Sequence, residues 1–348
     1  MNALGNFRKI LQQKSLFPYL LTGLSDIYYT SGFTGSGAYI LIDHDNNYFI
    51  TDGRYKDQYF KEVPSNFELK IVSNYNSYIR DCSNSYGKIW VNDSCSLSVF
   101  RLLKDKCEVF VDIENIPSLM RQVKTPEETD KMKEAYFIAG ESFKKTIADI
   151  NYTETESKWA AILEYNMKIA GASNPSFDTI VASGERSAMP HGKASDKIID
   201  KNNLVVVDFG AKRNYCSDIT RVIYNGNDKK IIDIANIVKD ALNTAVDYIK
   251  PGVVCHEVDA VARQFIADKG YGNFFNHGLG HGVGIDVHEK PYFNPFDPTV
   301  LQPGMVLTVE PGIYIPGEFG IRLEDTVLVE ENSCQVISNV LSSYLYKI

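Results

Sequence analysis

Four carboxylates and one imidazole in the second half of the chain, Asp208, Asp218, His281, Glu310 and Glu324, carry the clearest chemistry in the sequence. Each lies on or beside an apolar, strand-like run: Val206-Val207-Asp208-Phe209-Gly210, Ser217-Asp218-Ile219-Thr220-Arg221, Gly280-His281-Gly282-Val283-Gly284, Val309-Glu310-Pro311-Gly312 and Ile321-Arg322-Leu323-Glu324-Asp325. Two carboxylates about 4 Å apart repel by roughly 4 kcal/mol at an effective dielectric near 20. Four gathered in one place must protonate, move apart or enclose positive charge. Taken singly, each acid is an ordinary salt-bridge or turn residue; taken together, two divalent cations are the simplest neutraliser. Oxygen donors with one imidazole and no thiolate suit Mn(II) or Co(II) and admit Zn(II) or Fe(II), whereas the imidazole disfavours Ca(II). His277 and His281 stand four residues apart, but Gly278, Gly280, Gly282 and Gly284 oppose a helix there. No zinc-protease His-Glu-x-x-His is present. The glycine run reads either as a flexible loop or as backbone held close to a substrate, with His277, His281 and His288 along one site.

The elements that must position these groups are legible around them. Asp208 ends the run Leu204-Val205-Val206-Val207, the pattern of a strand buried on both faces; a carboxylate there needs a partner. Asp218 follows ten positions on, a hairpin distance. Period-two alternation places Asp218 with Thr220 on one face, and Arg322 with Glu324 and Thr326 on one face of the last strand. Thr125-Pro126-Glu127-Glu128 is a helix start, with Thr as cap, Pro at the first position and Glu three residues after the cap. That helix is expected to reach about residue 150, and Thr153 to Glu156 repeats the spacing for a second helix ending near Gly171. Strands are expected at 178–182, 204–210, 219–224, 305–310 and 321–330, and helices at 229–250 and 256–269. Two helices followed by strands thus occur twice, an internal pseudo-repeat. The whole reads as an α+β domain over 121–348, with an antiparallel sheet whose concave face carries the ligands. Residues 1–120 alternate short strands (38–43, 48–51, 88–92, 109–112) with helices (55–62, 96–104), a small α/β domain in which residues 28–33 form a Gly/aromatic loop.

These segments resemble the pita-bread metallopeptidases: aminopeptidase P, prolidase and methionine aminopeptidase, with metal-free creatinase as a relative. The resemblance covers nearly the whole chain. Gly184-Glu185-Arg186-Ser187 with Met189-Pro190-His191-Gly192, Asp208-Phe209-Gly210-Ala211, His277 to Gly284 with His288-Glu289, Glu310-Pro311-Gly312-Ile313-Tyr314 and Arg322-Leu323-Glu324-Asp325 all fit the proline-specific branch. The expected fold is an α+β pita-bread catalytic domain behind an amino-terminal, creatinase-like α/β domain. In one departure, ten positions separate the two Asp where the family usually has eleven; the missing position is placed in the turn at 212–214. The resemblance implies two divalent metal ions, Mn(II) first with Co(II) or Zn(II) as alternatives, held by Asp208, Asp218, His281, Glu310 and Glu324 around a bridging hydroxide. It further implies Glu310 as proton carrier, His288 as oxyanion donor, and His191, His277, His288 and Tyr314 as substrate-positioning groups, with Phe177 walling the proline ring. Arg322 and Thr220 would orient the carboxylates.

Composition narrows the partners. With 348 residues, 44% hydrophobic content and a formal net charge of −8, two domains with proper cores are expected, and neither nucleic acid nor an anionic membrane is the expected partner. Cys82, Cys95, Cys107, Cys216, Cys255 and Cys334 form no Cys-x-x-Cys pair and read as reduced thiols of a cytoplasmic protein. No apolar run approaches ~18 residues, so no membrane span is expected, and Gln12, Gln13 and Lys14 interrupt anything like a signal peptide. The expected substrate is a peptide with proline at its second position, and a homodimer is the expected assembly. Thr51-Asp52-Gly53-Arg54-Tyr55 resembles aminopeptidase P amino-terminal domains, so Xaa-Pro aminopeptidase is the first reading and Xaa-Pro dipeptidase the second. A binding module that keeps the fold without catalysis is the third, and retention of all five ligands argues against it.

Overall fold

The protein is described by a computed structural model over residues 3–150, 152–341 and 344–347. Its chain divides into two compact units, Met1–Arg121 and Gln122–Ile348. No described helix is long and apolar enough to cross a membrane, and all six cysteines are free.

The first unit is built on a six-stranded mixed sheet. Its order is Glu68–Ile71, Asn47–Thr51, Tyr39–Ile42, Tyr19–Leu21, Lys88–Asn92 and Glu108–Asp112. Leu20, Leu41, Ile50 and Val91 bury one side, and Phe7, Leu21, Ile40, Ile42 and Phe49 the other. Residues 28–33 are not a loop. They finish the helix Leu24–Ser31, which stops at Gly32 in the left-handed region (φ 77°) and donates its N–H to the Tyr28 carbonyl. That is a glycine helix stop, and the aromatic residues before it hid the amphipathic pattern. The helices Ala3–Lys14 and Tyr75–Tyr86 and the strand Tyr19–Leu21 were also absent from the sequence expectation.

The second unit opens with the helix Pro126–Asp149, whose Thr125 and Glu128 form the reciprocal cap. The next helix, Glu156–Ile169, is capped by Thr155 rather than Thr153. Glu156 cannot serve as a capping partner because it is fully buried and receives Ser183, Arg186 and Ser195. Two principal sheets follow instead of one. In the first, Leu345–Tyr346, Ile219–Ile223, Val205–Phe209 and Ile180–Ser183 lie side by side. In the second the order is Glu289–Phe293, Gly280–Gly282, Val306–Val309, Asp325–Val329 and Cys334–Val336. The helices Lys229–Tyr248 and Cys255–Asp268 contribute Ile234, Leu242, Val258 and Ile266 to a core shared with Leu307, Ile313 and Val327. Two helices followed by sheet strands therefore do recur.

Two local departures shape the site. The expected strand 321–330 is broken: Phe319–Arg322 pairs with Gly312–Ile315, whereas Asp325–Val329 pairs with Val306–Val309. At the break the Leu323 and Glu324 amides donate to Pro311 and Thr220 carbonyls, so the chain changes ladders where Glu324 must turn inward. The glycine run is not a flexible loop either. Gly280–Gly282 is a central strand between Glu289–Phe293 and Val306–Val309. A Cβ on Gly280 would lie 2.0 Å from the Thr308 carbonyl oxygen, so only glycine permits this approach and with it the placement of His281. Gly280→Ala is expected to lower stability by about 1–3 kcal/mol or more through this overpacking. Thermal denaturation checks it; an unmoved midpoint would mean that the neighbouring strands do not pin the backbone.

Candidate metal centre

The acidic residues arrive from both sheets. Asp208 lies opposite Thr220 in the Val205–Phe209 and Ile219–Ile223 pairing, and cross-strand partners share a face. Asp218 sits two residues before Thr220, on the same side. The turn that joins the two acids is tight, with Arg213 opposite Tyr215 and Asn214 in the left-handed region at φ 66°. Across this ten-residue spacing Asp218 still reaches the Asp208 and Glu324 ligand atoms. His281 comes from the middle of its strand, Glu310 follows Val306–Val309, and Glu324 occupies the break described above.

Ligand oxygens of Asp208, Asp218 and Glu324 lie within 4.8 Å of one another. His281 Nε2 is 3.6 Å from Asp218 Oδ2 and 3.4 Å from Glu310 Oε1. His281 Nδ1 is 3.0 Å from the Gly282 carbonyl oxygen. A carbonyl only accepts, so Nδ1 carries the hydrogen and Nε2 presents a lone pair to two carboxylates. Burial, then the neighbouring His288, pushes the His281 pKa down to about 4, so a proton does not relieve this juxtaposition near neutral pH. Asp208 Oδ1 and Glu324 Oε1 are buried without a hydrogen-bond partner. Lone pairs facing one another and two orphaned carboxylate oxygens at one point are the signature of cation ligands, and the donor set fits divalent metal ions.

The protein supplies one cation of its own to this cluster. Arg322 donates from Nη2 to Asp208 Oδ2 at 2.6 Å, from Nη1 to the Pro190 carbonyl at 2.9 Å and the Tyr314 hydroxyl at 3.0 Å, and from Nε to Thr220 Oγ1 at 3.2 Å. Thr220 in turn donates to Glu324 Oε2 at 2.8 Å. One positive group against four acids is insufficient. Burial, followed by the charges of the other acids, raises Asp218 and Glu324 well above the carboxylate range. Burial, partly opposed by Arg322 and reinforced by Asp208, pushes Glu310 up to about 8.

A cavity of about 500 Å³ opens over the acids. Its lining includes Phe177, His191, His277, His288 and Arg322, all singled out from the sequence. The ring of His288 stands 4.4 Å from that of His281. Tyr314, expected to touch substrate, instead lies behind Arg322 and outside this lining. His277 lines the cavity but has both ring nitrogens occupied: Nδ1 faces the Gly278 carbonyl at 2.7 Å, and Nε2 faces the Tyr314 hydroxyl at 3.0 Å. The carbonyl takes the Nδ1 hydrogen, so Tyr314 donates to Nε2 and its oxygen is left to accept from Arg322. His277 and Tyr314 therefore brace Arg322. Lys193 and Asp178 also line the cavity. Neither was singled out from the sequence, because an isolated Lys after His-Gly gives no periodic or motif signal.

A fold of helices on paired sheets, with a buried, oxygen-rich cluster suited to divalent cations under a cavity, fits a metal-dependent enzyme. The match to known proteins makes the class specific. Residues 130–331 match metallopeptidase family M24, and residues 4–123 match the creatinase/prolidase N-terminal domain. The chain is 38% identical over 333 residues to the Xaa-Pro dipeptidase of Pyrococcus furiosus, covering 94% of each. Among solved structures, an Xaa-Pro dipeptidase from Bacillus anthracis superposes with a TM-score of 0.93 at 36% identity, covering 99% of both chains. An X-Pro aminopeptidase from Thermotoga maritima superposes with a TM-score of 0.88 at 38% identity, covering 96% of this chain and 98% of that one. The chain belongs to the pita-bread, proline-specific metallopeptidases of family M24.

Asp208→Asn and Glu324→Gln are expected to lose metal occupancy, read by elemental analysis, and chelation is expected to lower the thermal midpoint of the parent protein by ligand linkage. Cation uptake at pH 7 should release protons, because burial, opposed by Arg322 and reinforced by Asp208, pushes Glu310 up to about 8 in the metal-free protein. The sign is fixed: below about 8 the folded metal-free protein holds a proton that the cation must expel, so affinity should rise between pH 7 and pH 9. Calorimetry in buffers of different ionisation enthalpy measures the release; uptake without proton release at pH 7 would refute the assignment.

Proposed function

We propose that this protein is an Xaa-Pro dipeptidase that cleaves the bond preceding proline in dipeptides, with Mn(II) or Co(II) in its centre. The similarity along nearly the full chain to a protein named Xaa-Pro dipeptidase, at 38% identity, carries this choice. It reverses the order given by the Thr51–Tyr55 segment, which leaned towards aminopeptidase activity. The likeness to the Thermotoga maritima X-Pro aminopeptidase supports the second reading, release of the first residue from longer Xaa-Pro peptides.

Bound divalent cations supply water of lowered pKa, near ~7, and polarise a carbonyl. The chain's own residues do the remainder. An Xaa-Pro bond has no hydrogen on its nitrogen, so the proline ring and not an N–H donor must be recognised. Phe177 offers an apolar wall in the cavity. Glu310 lines the cavity beside His281 and, once its own proton has been released on cation binding, is placed to accept one and hand it to the departing proline nitrogen. His288, kept below the ordinary histidine pKa chiefly by burial, is neutral at pH 7 and can donate to the oxyanion that forms at the scissile carbonyl. His191, in the same lining, stands ready to bind substrate oxygen. Arg322 holds Asp208 in position through their 2.6 Å contact.

Xaa-Pro dipeptides should be cleaved with higher kcat/KM than Xaa-Pro-Yaa tripeptides. Tripeptide cleavage with dipeptides refused would move the protein to the aminopeptidase branch. His288→Ala is expected to reduce kcat by ~10²-fold or more, as for a lost oxyanion donor, with metal content retained. Metal loss in that variant would show His288 to be a ligand instead.

A further inference from the structure

Among the described residues, two permanently cationic side chains line the cavity above the acids, Arg322 and Lys193. Arg322 is fully engaged inside the protein, with Nε, Nη1 and Nη2 all donating to Thr220, Pro190, Tyr314 and Asp208. Lys193 is held differently. Its Nζ lies 2.9 Å from Asp178 Oδ2, and the two side chains are 80% and 83% exposed. An ion pair so open to water is worth about 0–1 kcal/mol, and exchanging one carboxylate for another at that ammonium costs correspondingly little.

The backbone that carries Lys193 is anchored, in contrast. Its carbonyl accepts from Arg186 Nη2 at 2.6 Å, and Arg186 Nε donates to Glu156 Oε2 at 2.9 Å. The same carboxylate oxygen receives the Ser195 amide at 3.2 Å and the Ser195 hydroxyl at 2.6 Å. Glu156 itself is fully buried and bound through its other oxygen to Ser183. A loosely engaged ammonium thus projects from a loop tied, at Lys193 through Arg186 and at Ser195 directly, to one buried carboxylate. Such preorganisation lowers the ordering cost of binding. With the acids at the floor of the cavity neutralised by divalent cations and Arg322 committed to Asp208, Lys193 is the cation left to meet a negatively charged substrate terminus.

We propose that Lys193 recognises the free α-carboxylate of the dipeptide, exchanging its contact with Asp178 for the carboxylate of the proline residue. This rests on the Xaa-Pro dipeptidase reading and names the residue that sets its length preference. A longer peptide places an amide, not a carboxylate, at that point; Lys193 then stays with Asp178 and the peptide gains no charge pairing. Asp178 is the competitor that a substrate carboxylate must displace.

The test compares an Xaa-Pro dipeptide with the same dipeptide carrying a carboxy-terminal amide, in the metal-loaded parent protein and in K193M, K193R and D178N. K193M should raise KM for the acid by about two- to fivefold, the scale of a solvent-exposed charge pair, with kcat for the acid and kcat/KM for the amide little changed. K193R should restore most of the acid preference, and D178N should lower KM for the acid alone. An acid-to-amide ratio of kcat/KM that is the same in K193M as in the parent overturns the proposal, as does an equal loss on both substrates. A parent protein that refuses dipeptides while cleaving longer Xaa-Pro peptides overturns the dipeptidase reading itself, a result distinct from a working dipeptidase whose ratio Lys193 does not move.

Discussion

Everything in the catalytic unit answers to the repulsion among four acids in a place that water barely reaches. Asp218 and Glu324 are buried, and Asp208 and Glu310 partly so. Without cations, such a cluster avoids its own charge by taking up protons, which is what the raised titration of Asp218, Glu310 and Glu324 expresses. With cations, the same repulsion becomes affinity. The fold must therefore hold these groups together against a force that, in the metal-free state, pushes them apart.

Tertiary structure rather than local propensity does that holding. The acids enter from different strands of two sheets, so displacing any one of them requires disturbing a ladder. Arg221 shows how the back of the site is closed. Fully buried, it donates to the Glu324 carbonyl, to Asp325 Oδ1 at 2.9 Å and to the Leu341 carbonyl at 2.9 Å. It thereby fixes the backbone that presents Glu324 while its neighbour Thr220, on the opposite face, holds the Glu324 carboxylate. Tyr136, from the first long helix of the unit, donates to Thr326 Oγ1, which donates to the Asp218 carbonyl. Alternation along the strand Ile219–Ile223 thus assigns one face to the carboxylates and the other to their supports.

Much of this was legible in the sequence, and the failures share a cause. Apolar runs ending in Asp208 and Glu310, the Thr125 cap and the spacing of Asp208 from Asp218 are local signals, and local signals locate strands, helix starts and hairpins well. The glycine strand at His281 was ambiguous because its glycines answer to Thr308 and Lys290 carbonyls on the two flanking strands, which local pattern does not reveal. The break before Asp325 was invisible for a similar reason: both halves are apolar, and only their different partners separate them. Tyr314, read as a substrate-positioning group, packs against Arg322 and His277 outside the cavity lining, and a motif gives no distance from the cavity. Lys193 gave no signal, because an exposed lysine becomes notable only once its neighbours across the cavity are known.

The titration of the histidines completes the electrostatic design. Burial, then the nearby Arg322, drives His277 down to about 4, and burial keeps His281 and His288 low as well. In an acidic centre, the naive expectation is protonated imidazoles paired with carboxylates; that arrangement would spend the acids on protons and leave little for metal ions. Neutral imidazoles avoid the competition. His281 keeps a lone pair for a cation, His277 accepts from Tyr314 and so leaves the phenolic oxygen to receive Arg322, and His288 remains a neutral donor. Arg322 can carry permanent charge in their midst because its geometry commits it to one acid, Asp208, and to three neutral acceptors. The floor of the cavity is thereby kept for metal chemistry, and charge recognition of a substrate is displaced outward to its mouth.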